Sequence, residues 1–136
     1  MQTIGIDIGT TTISGVVLEK NGTQKPRVLE AKTIENGSFF KTTKDWERIQ
    51  DAEKIVKKSR QMLDDFLDRY PEVEKIGLTG QMHGIVYTDE NGKAISPLYT
   101  WQDERGNQQY KDTTYAEYLG SFSGYGNVTD FYNCEN

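Results

Sequence analysis

Apolar and polar residues alternate from Thr3 to Ile8 (TIGIDI), again from Ile13 to Glu19 (ISGVVLE), and from Arg27 to Ile34 (RVLEAKTI). A period of two, rich in β-branched side chains, is the pattern of a half-buried strand. Gly9 to Thr12 reads as the turn between the first two strands. Asn21-Gly22, inside Lys20 to Lys25, is a strong hairpin signal between the second and third. Three antiparallel strands are therefore predicted in the first 35 residues. After a loop at Glu35 to Lys41 the period changes. Thr42 and Asp45 have the spacing of a capping box. From Trp46 to Tyr70 apolar residues fall at Ile49, Ala52, Val56, Leu63, Phe66 and Tyr70, with Ile55, Met62 and Leu67 beside them. This predicts an amphipathic helix, ended by Pro71.

Further along, Val73 to Thr79 (VEKIGLT) predicts a strand and Gly80 to Gly84 (GQMHG) a loop. Ile85 to Thr88 predicts a strand, Asp89 to Lys93 a turn, and Ala94 to Tyr99 an extended segment carrying Pro97. Thr100 to Gly106 opens a loop or helix start. Asn107 to Leu119 predicts a helix, and Gly120 to Asn136 an irregular segment. The order, three antiparallel strands feeding a helix and a further strand, gives an α/β fold with a mixed sheet of about five strands and flanking helices. There is no internal repeat and no low-complexity tract.

The bulk numbers narrow the function classes. A length of 136 residues suits one domain, too small for two large lobes with a cleft between them. Net charge is −5, and no Lys/Arg cluster exceeds Lys57-Lys58, so a nucleic-acid partner is not expected. One cysteine, Cys134, and one histidine exclude an internal disulfide framework and leave too few ligands for a structural zinc. No signal peptide or long apolar run is present, which predicts a cytoplasmic chain with no membrane partner.

Candidate chemistry sits in three segments. In the first, Asp7 lies at a strand end, where a carboxylate can reach Mg²⁺ directly or through water. Gly9 permits a tight turn and close approach of the backbone to a ligand. Thr10, Thr11 and Thr12 add N–H groups and hydroxyls that can donate to phosphate oxygens. The segment alone is equally an ordinary hairpin turn, and no Gly-Lys-Ser/Thr follows, so it is not a P-loop. In the second, Gln81 and His83 are polar groups suited to a polyhydroxylated ligand, with Met82 as an adaptable apolar contact; a plain loop with a satisfied histidine is the alternative. In the third, Thr100-Trp101-Gln102-Asp103-Glu104-Arg105, Trp101 can lie on the apolar face of a sugar and Asp103 can accept from its hydroxyls. A buried Trp101 beside a surface Asp103–Arg105 pair is the alternative there.

Taken together, Asp7-Ile8-Gly9-Thr10-Thr11, then Gly77-Leu78-Thr79-Gly80-Gln81-Met82-His83-Gly84, then Thr100-Trp101-Gln102-Asp103 resemble the FGGY family of carbohydrate kinases. Met82-His83 is similar to the xylulose and sedoheptulose kinase branch, and Gly124 to Asn133 (GYGNVTDFYN) is closer to the sedoheptulokinases. Glu104 departs from the small residue common at its place. The resemblance implies a ribonuclease-H-like, actin-like ATPase fold of two lobes, with ATP and Mg²⁺ bound between them. This chain, residues 1–136, would be the N-terminal part of the first, sugar-binding domain, without the adenine-binding one. Asp7 would help hold Mg²⁺, and Gly9, Thr10, Thr11 and Thr12 would approach the phosphates. Gln81, Met82, His83, Trp101, Asp103 and Arg105 would line the sugar site. The general-base aspartate would lie downstream, so no catalytic residue is assigned within the chain and the chain alone is expected to be inactive. A face left uncovered by the missing part would allow self-association as a homodimer. Two other readings stay open: a sugar-sensing or regulatory protein on an actin-like ATPase fold, and a binding module without catalysis.

Overall fold

The computed structural model describes residues 1–123. In chain order the elements are β1 (Gln2–Ile8), β2 (Thr12–Glu19), β3 (Arg27–Glu35), β4 (Ile49–Gln50), α1 (Ala52–Arg69), β5 (Val73–Gly80), β6 (Leu98–Tyr99), a single 3-10 turn (Arg105–Asn107), β7 (Gln109–Tyr110), β8 (Thr113–Thr114) and α2 (Tyr115–Ser123). They fall into two compact units, one built from residues 1–37 and 53–81, the other from residues 38–52 and 82 onward.

The first unit is a four-stranded mixed sheet in the order β3-β2-β1-β5, with α1 on one face. β1 pairs antiparallel with β2, β2 antiparallel with β3, and β1 parallel with β5. The predicted alternation holds: Ile4 and Ile6 of β1 and Ile13 and Val17 of β2 are buried, packing with Met62 and Phe66 of α1. Gly15 sits at the centre of that contact. A Cβ there would lie 2.4 Å from Phe66 Cε2 and 2.8 Å from Met62 Sδ, so the ring packs where a side chain would otherwise be. On the outer strand β5, Ile76 and Leu78 are exposed.

α1 starts later than the apolar period suggests, at Ala52 rather than near Trp46. Ile49 and Gln50 instead pair antiparallel with Tyr99 and Leu98, a contact distant in sequence. The Thr42 hydroxyl does not cap a helix: it donates to Glu47 at 2.6 Å and accepts from the Lys44 N–H at 3.1 Å. The buried stripe of α1 is Ile55, Met62 and Phe66, and Val56 faces solvent.

The second unit holds β4, β6, the 3-10 turn, the β7-β8 hairpin and α2. The strand expected at Ile85 to Thr88 is reduced to bridges from Ile85 to Tyr99 and Thr88 to Ala94. The turn expected at Asp89 to Lys93 is present, with Gly92 at φ 77°. The helix expected from Asn107 begins only at Tyr115. Lys111, at φ 52°, turns the chain between β7 and β8, and a left-handed residue cannot continue a right-handed helix. Thr114 and Glu117 form the capping box that starts α2: Thr114 Oγ1 accepts from the Glu117 N–H and the Glu117 carboxylate accepts from the Thr114 N–H, both at 3.2 Å. Among the described residues, the expected fifth strand of the main sheet is absent. The motif at Gly124 to Asn133 and Cys134 lie outside them.

Candidate functional site

In the first unit the candidate residues gather at one edge. Because β1 and β5 run parallel in register, Asp7 opposite Thr79 and Ile8 opposite Gly80, both strands end there. The carboxyl ends of parallel strands are where open α/β sheets bind ligands. Asp7 is exposed, the penultimate residue of β1 before Gly9. The Gly9 N–H donates to the Thr12 carbonyl at 2.9 Å, closing the turn, and a Cβ on Gly9 would lie 2.9 Å from that same oxygen. The turn thus demands glycine by crowding against backbone. Thr11 is exposed at its tip. The Thr10 hydroxyl donates to Gln81 Oε1 at 2.8 Å, and the Gln81 N–H donates to the Ile8 carbonyl at 2.9 Å. Two segments 71 positions apart are therefore joined directly.

Asn36 was not singled out by sequence, where it reads as one more loop residue before Gly37. It is wholly buried, its Nδ2 donates to the Gly9 carbonyl at 2.7 Å, and its backbone N–H donates to the Thr11 carbonyl at 2.8 Å. Lys58 of α1 in turn donates to the carbonyls of Asn36 and Glu35, at 2.7 and 2.8 Å. The Asp7–Thr12 turn is braced from behind by side chains that no local motif announces.

In the second unit His83, Asp103 and Arg105 line a cavity of about 250 Å³ together with Ile85, Tyr87, Tyr99 and Thr100. Drug-sized ligands occupy pockets of about 300 Å³ upward, so this one suits a smaller molecule. His83 has φ 63°, an uncommon conformation outside glycine, next to Gly84, whose missing Cβ would meet Leu98 Cδ1 at 2.9 Å. Met82 is 71% exposed and Trp101 40% exposed, and neither lines the cavity.

Against the alternative of a buried Trp101 beside a surface Asp103–Arg105 pair, Trp101 is not buried and Asp103 is, at 1% exposure. Its Oδ2 accepts from the Arg48 N–H at 2.9 Å and Arg105 Nη2 at 3.0 Å; its Oδ1 accepts from Arg105 Nε at 2.5 Å and the Arg105 N–H at 3.2 Å. The Arg105 guanidinium stacks 4.1 Å from the Tyr99 ring centroid. Burial alone would raise the Asp103 carboxyl, but these hydrogen bonds outweigh it and hold it below the usual carboxylate range. A carboxyl lowered in the folded state adds stability above its unfolded value and loses it as pH falls. Asp103→Ala should therefore destabilise this unit by about 2 kcal/mol at neutral pH. Asp103→Asn should remove part of its acid sensitivity below about pH 4. Trp46 and Trp101 both belong to this unit, so tryptophan fluorescence during denaturation measures each effect. An Asp103→Asn curve parallel to wild type down to acid pH would refute the linkage.

Among the described residues no three His, Cys, Asp or Glu side chains are placed to hold a metal together. Asp7 as a lone carboxylate still fits Mg²⁺, which keeps several waters and takes one or two carboxylates plus substrate phosphates. No helix of the described residues is long and apolar enough to cross a membrane.

The model of the FGGY family of carbohydrate kinases, N-terminal domain, matches residues 2–122. A xylulose kinase of Staphylococcus xylosus is 31% identical over 80% of this chain and 22% of its own length. A sedoheptulokinase of Mus musculus is 28% identical over 98% of this chain and 33% of its own. The solved gluconate kinase of Lactobacillus acidophilus superposes with a TM-score of 0.66 at 18% identity, covering 96% of this chain and 23% of that one. The shared fold is the ribonuclease-H-like, actin-like ATPase fold. The chain spans between about a fifth and a third of these relatives' lengths.

Proposed function

This chain belongs to the FGGY family of carbohydrate kinases, and from that premise we propose that it is the N-terminal, sugar-binding part of an enzyme that phosphorylates a ketose with ATP. The observation that carries the reading is the edge where β1 and β5 end. It sets the Asp7 carboxylate, the Gly9–Thr12 turn and Gln81 side by side, with Thr10 and Gln81 hydrogen-bonded at 2.8 Å. Exposed donors next to a carboxylate suit the phosphates of ATP and a bound Mg²⁺. That ion would supply electrostatic stabilisation of the transferring phosphoryl group. Asp7 would hold it, and Thr11 and Thr12 would donate to phosphate oxygens. His83, Asp103 and Arg105, with Met82 and Trp101 nearby in sequence, would form the sugar subsite. The relatives named xylulose kinase and sedoheptulokinase favour a ketose as the acceptor.

Phosphoryl transfer needs donor and acceptor held in line. We place the general base and the adenine site in the remainder of the relatives' length and the enzyme in the cytoplasm. The 136-residue chain by itself should then be inactive, and exposed Ile76 and Leu78 would allow it to dimerise. A coupled ADP-release assay with xylulose, sedoheptulose and other sugars tests this. Sugar-dependent turnover by the full-length enzyme and none by the chain alone is expected. Steady turnover by the chain alone would refute the placement of the base. ATP hydrolysis by the full-length enzyme that no sugar stimulates would favour a sugar-sensing protein instead.

A further inference from the structure

Charge in and around the second unit's cavity bears on which sugars it accepts. Among the described residues that line it, Arg105 is the fixed cation and Asp103 the fixed anion. A lone Arg–Asp couple would leave the site neutral. Glu47, which does not line the cavity, changes the balance: its Oε1 lies 3.5 Å from Arg105 Nη2. One guanidinium thus faces two carboxylates. Lys44 also reaches Glu47, at 3.9 Å, but its side chain is 56% exposed and lies over the Trp46 ring, where solvent screens it. The Glu47 side chain is 17% exposed and held by the Thr42 hydroxyl at 2.6 Å, so its charge stays next to Arg105.

We infer that the cavity selects uncharged polyhydroxylated ligands over sugar acids, and that Glu47 is the specificity-determining residue, because it sets a second carboxylate beside a cation that Asp103 already neutralises. The inference rests on the cavity being a sugar site. A sugar acid entering it would bring a carboxylate toward an arginine already matched twice, in a chain whose net charge is −5. A neutral ketose or polyol loses nothing by this, since its hydroxyls need dipoles rather than net charge.

The test is an NMR titration of the 136-residue chain at pH 8, reading the amides of His83, Tyr99 and Thr100 against xylulose, xylitol and gluconate. Xylulose or xylitol should bind at least tenfold more tightly than gluconate. Glu47→Gln keeps an oxygen for the Thr42 hydroxyl but removes the charge, and should raise the gluconate-to-xylitol affinity ratio about fivefold, as expected for one charge at this distance in a partly solvated site. Where that variant does not fold, salt substitutes: the same ratio in wild type should rise between low and physiological ionic strength, because screening weakens repulsion. Gluconate binding as tightly as xylitol, or a ratio that neither Glu47→Gln nor salt moves, would overturn the role of Glu47 and leave the sugar site standing. Shifts with none of the three ligands would remove the sugar site, and this inference with it.

Discussion

Asp7→Ala should lower kcat of the full-length enzyme by about a hundred- to a thousandfold, the loss typical when one preorganised electrostatic contact to the transition state is deleted. Asp7 is exposed at the mouth of the first turn, so the loss should come without a large change in folding stability. The side chain neither packs in the core nor lies among the buried polar groups. KM for the sugar should change less than kcat, since the carboxylate is proposed to act on the phosphate side. Asp7→Asn should lose nearly as much, because an amide keeps the shape but offers a metal no charge. Steady-state kinetics beside a thermal melt separates the two effects. Unchanged turnover in a folded Asp7→Ala enzyme would take Asp7 out of the mechanism.

The second large effect concerns folding. Phe66→Ala should destabilise the first unit by about 4 kcal/mol, in the range for emptying a buried aromatic site. Stabilities of whole domains are about 5–15 kcal/mol, so this is a large share. Gly15→Ala should be damaging for the opposite reason: its new methyl would meet the Phe66 ring at 2.4 Å with backbone fixed on both sides. The two sites share one volume, so their costs cannot add. In a Phe66→Leu background, Gly15→Ala should cost at least 1 kcal/mol less than in wild type, since overpacking of this kind typically costs about 1–3 kcal/mol. Urea denaturation followed by circular dichroism, or hydrogen exchange at β1 and β2 amides, would measure it. Simple additivity would mean that Phe66 does not occupy the space in front of Gly15.

The same pair shows how far the sequence could be read. The alternation in β1 and β2 predicted half-buried strands, and the structure buries Ile4, Ile6, Ile13 and Val17 on one face. Nothing local said that Gly15, on that face, is a socket for a ring 51 positions later. The α1 period was visible, yet its start was not, because Ile49 and Gln50 are drawn into pairing with Leu98 and Tyr99. A helical period and a two-residue strand cannot be told apart until the partner is known. The Thr114–Glu117 box, by contrast, caps α2 with the spacing its sequence shows, while the Thr42–Asp45 spacing caps no helix. Side-chain caps signal a helix only where the following backbone is free to be helical.

Among candidate site residues the division is similar. Primary structure supplies the residue types: a carboxylate and threonines around a glycine turn, and a histidine, an aspartate and an arginine in short loops. It also determined the order of those motifs, which is enough to identify the family. Their uses are set once the chain has folded. Parallel pairing of β1 with β5 brings Gln81 to Thr10, and Asn36 comes from behind to hold the turn. Asp103 became a buried hub for Arg48 and Arg105, and Glu47 became Arg105's second carboxylate. The difference is one of range. Turns, caps and alternation are set by neighbours a few positions apart, whereas a hydrogen bond or ion pair between residues tens of positions apart exists only after the chain has closed the loops between them.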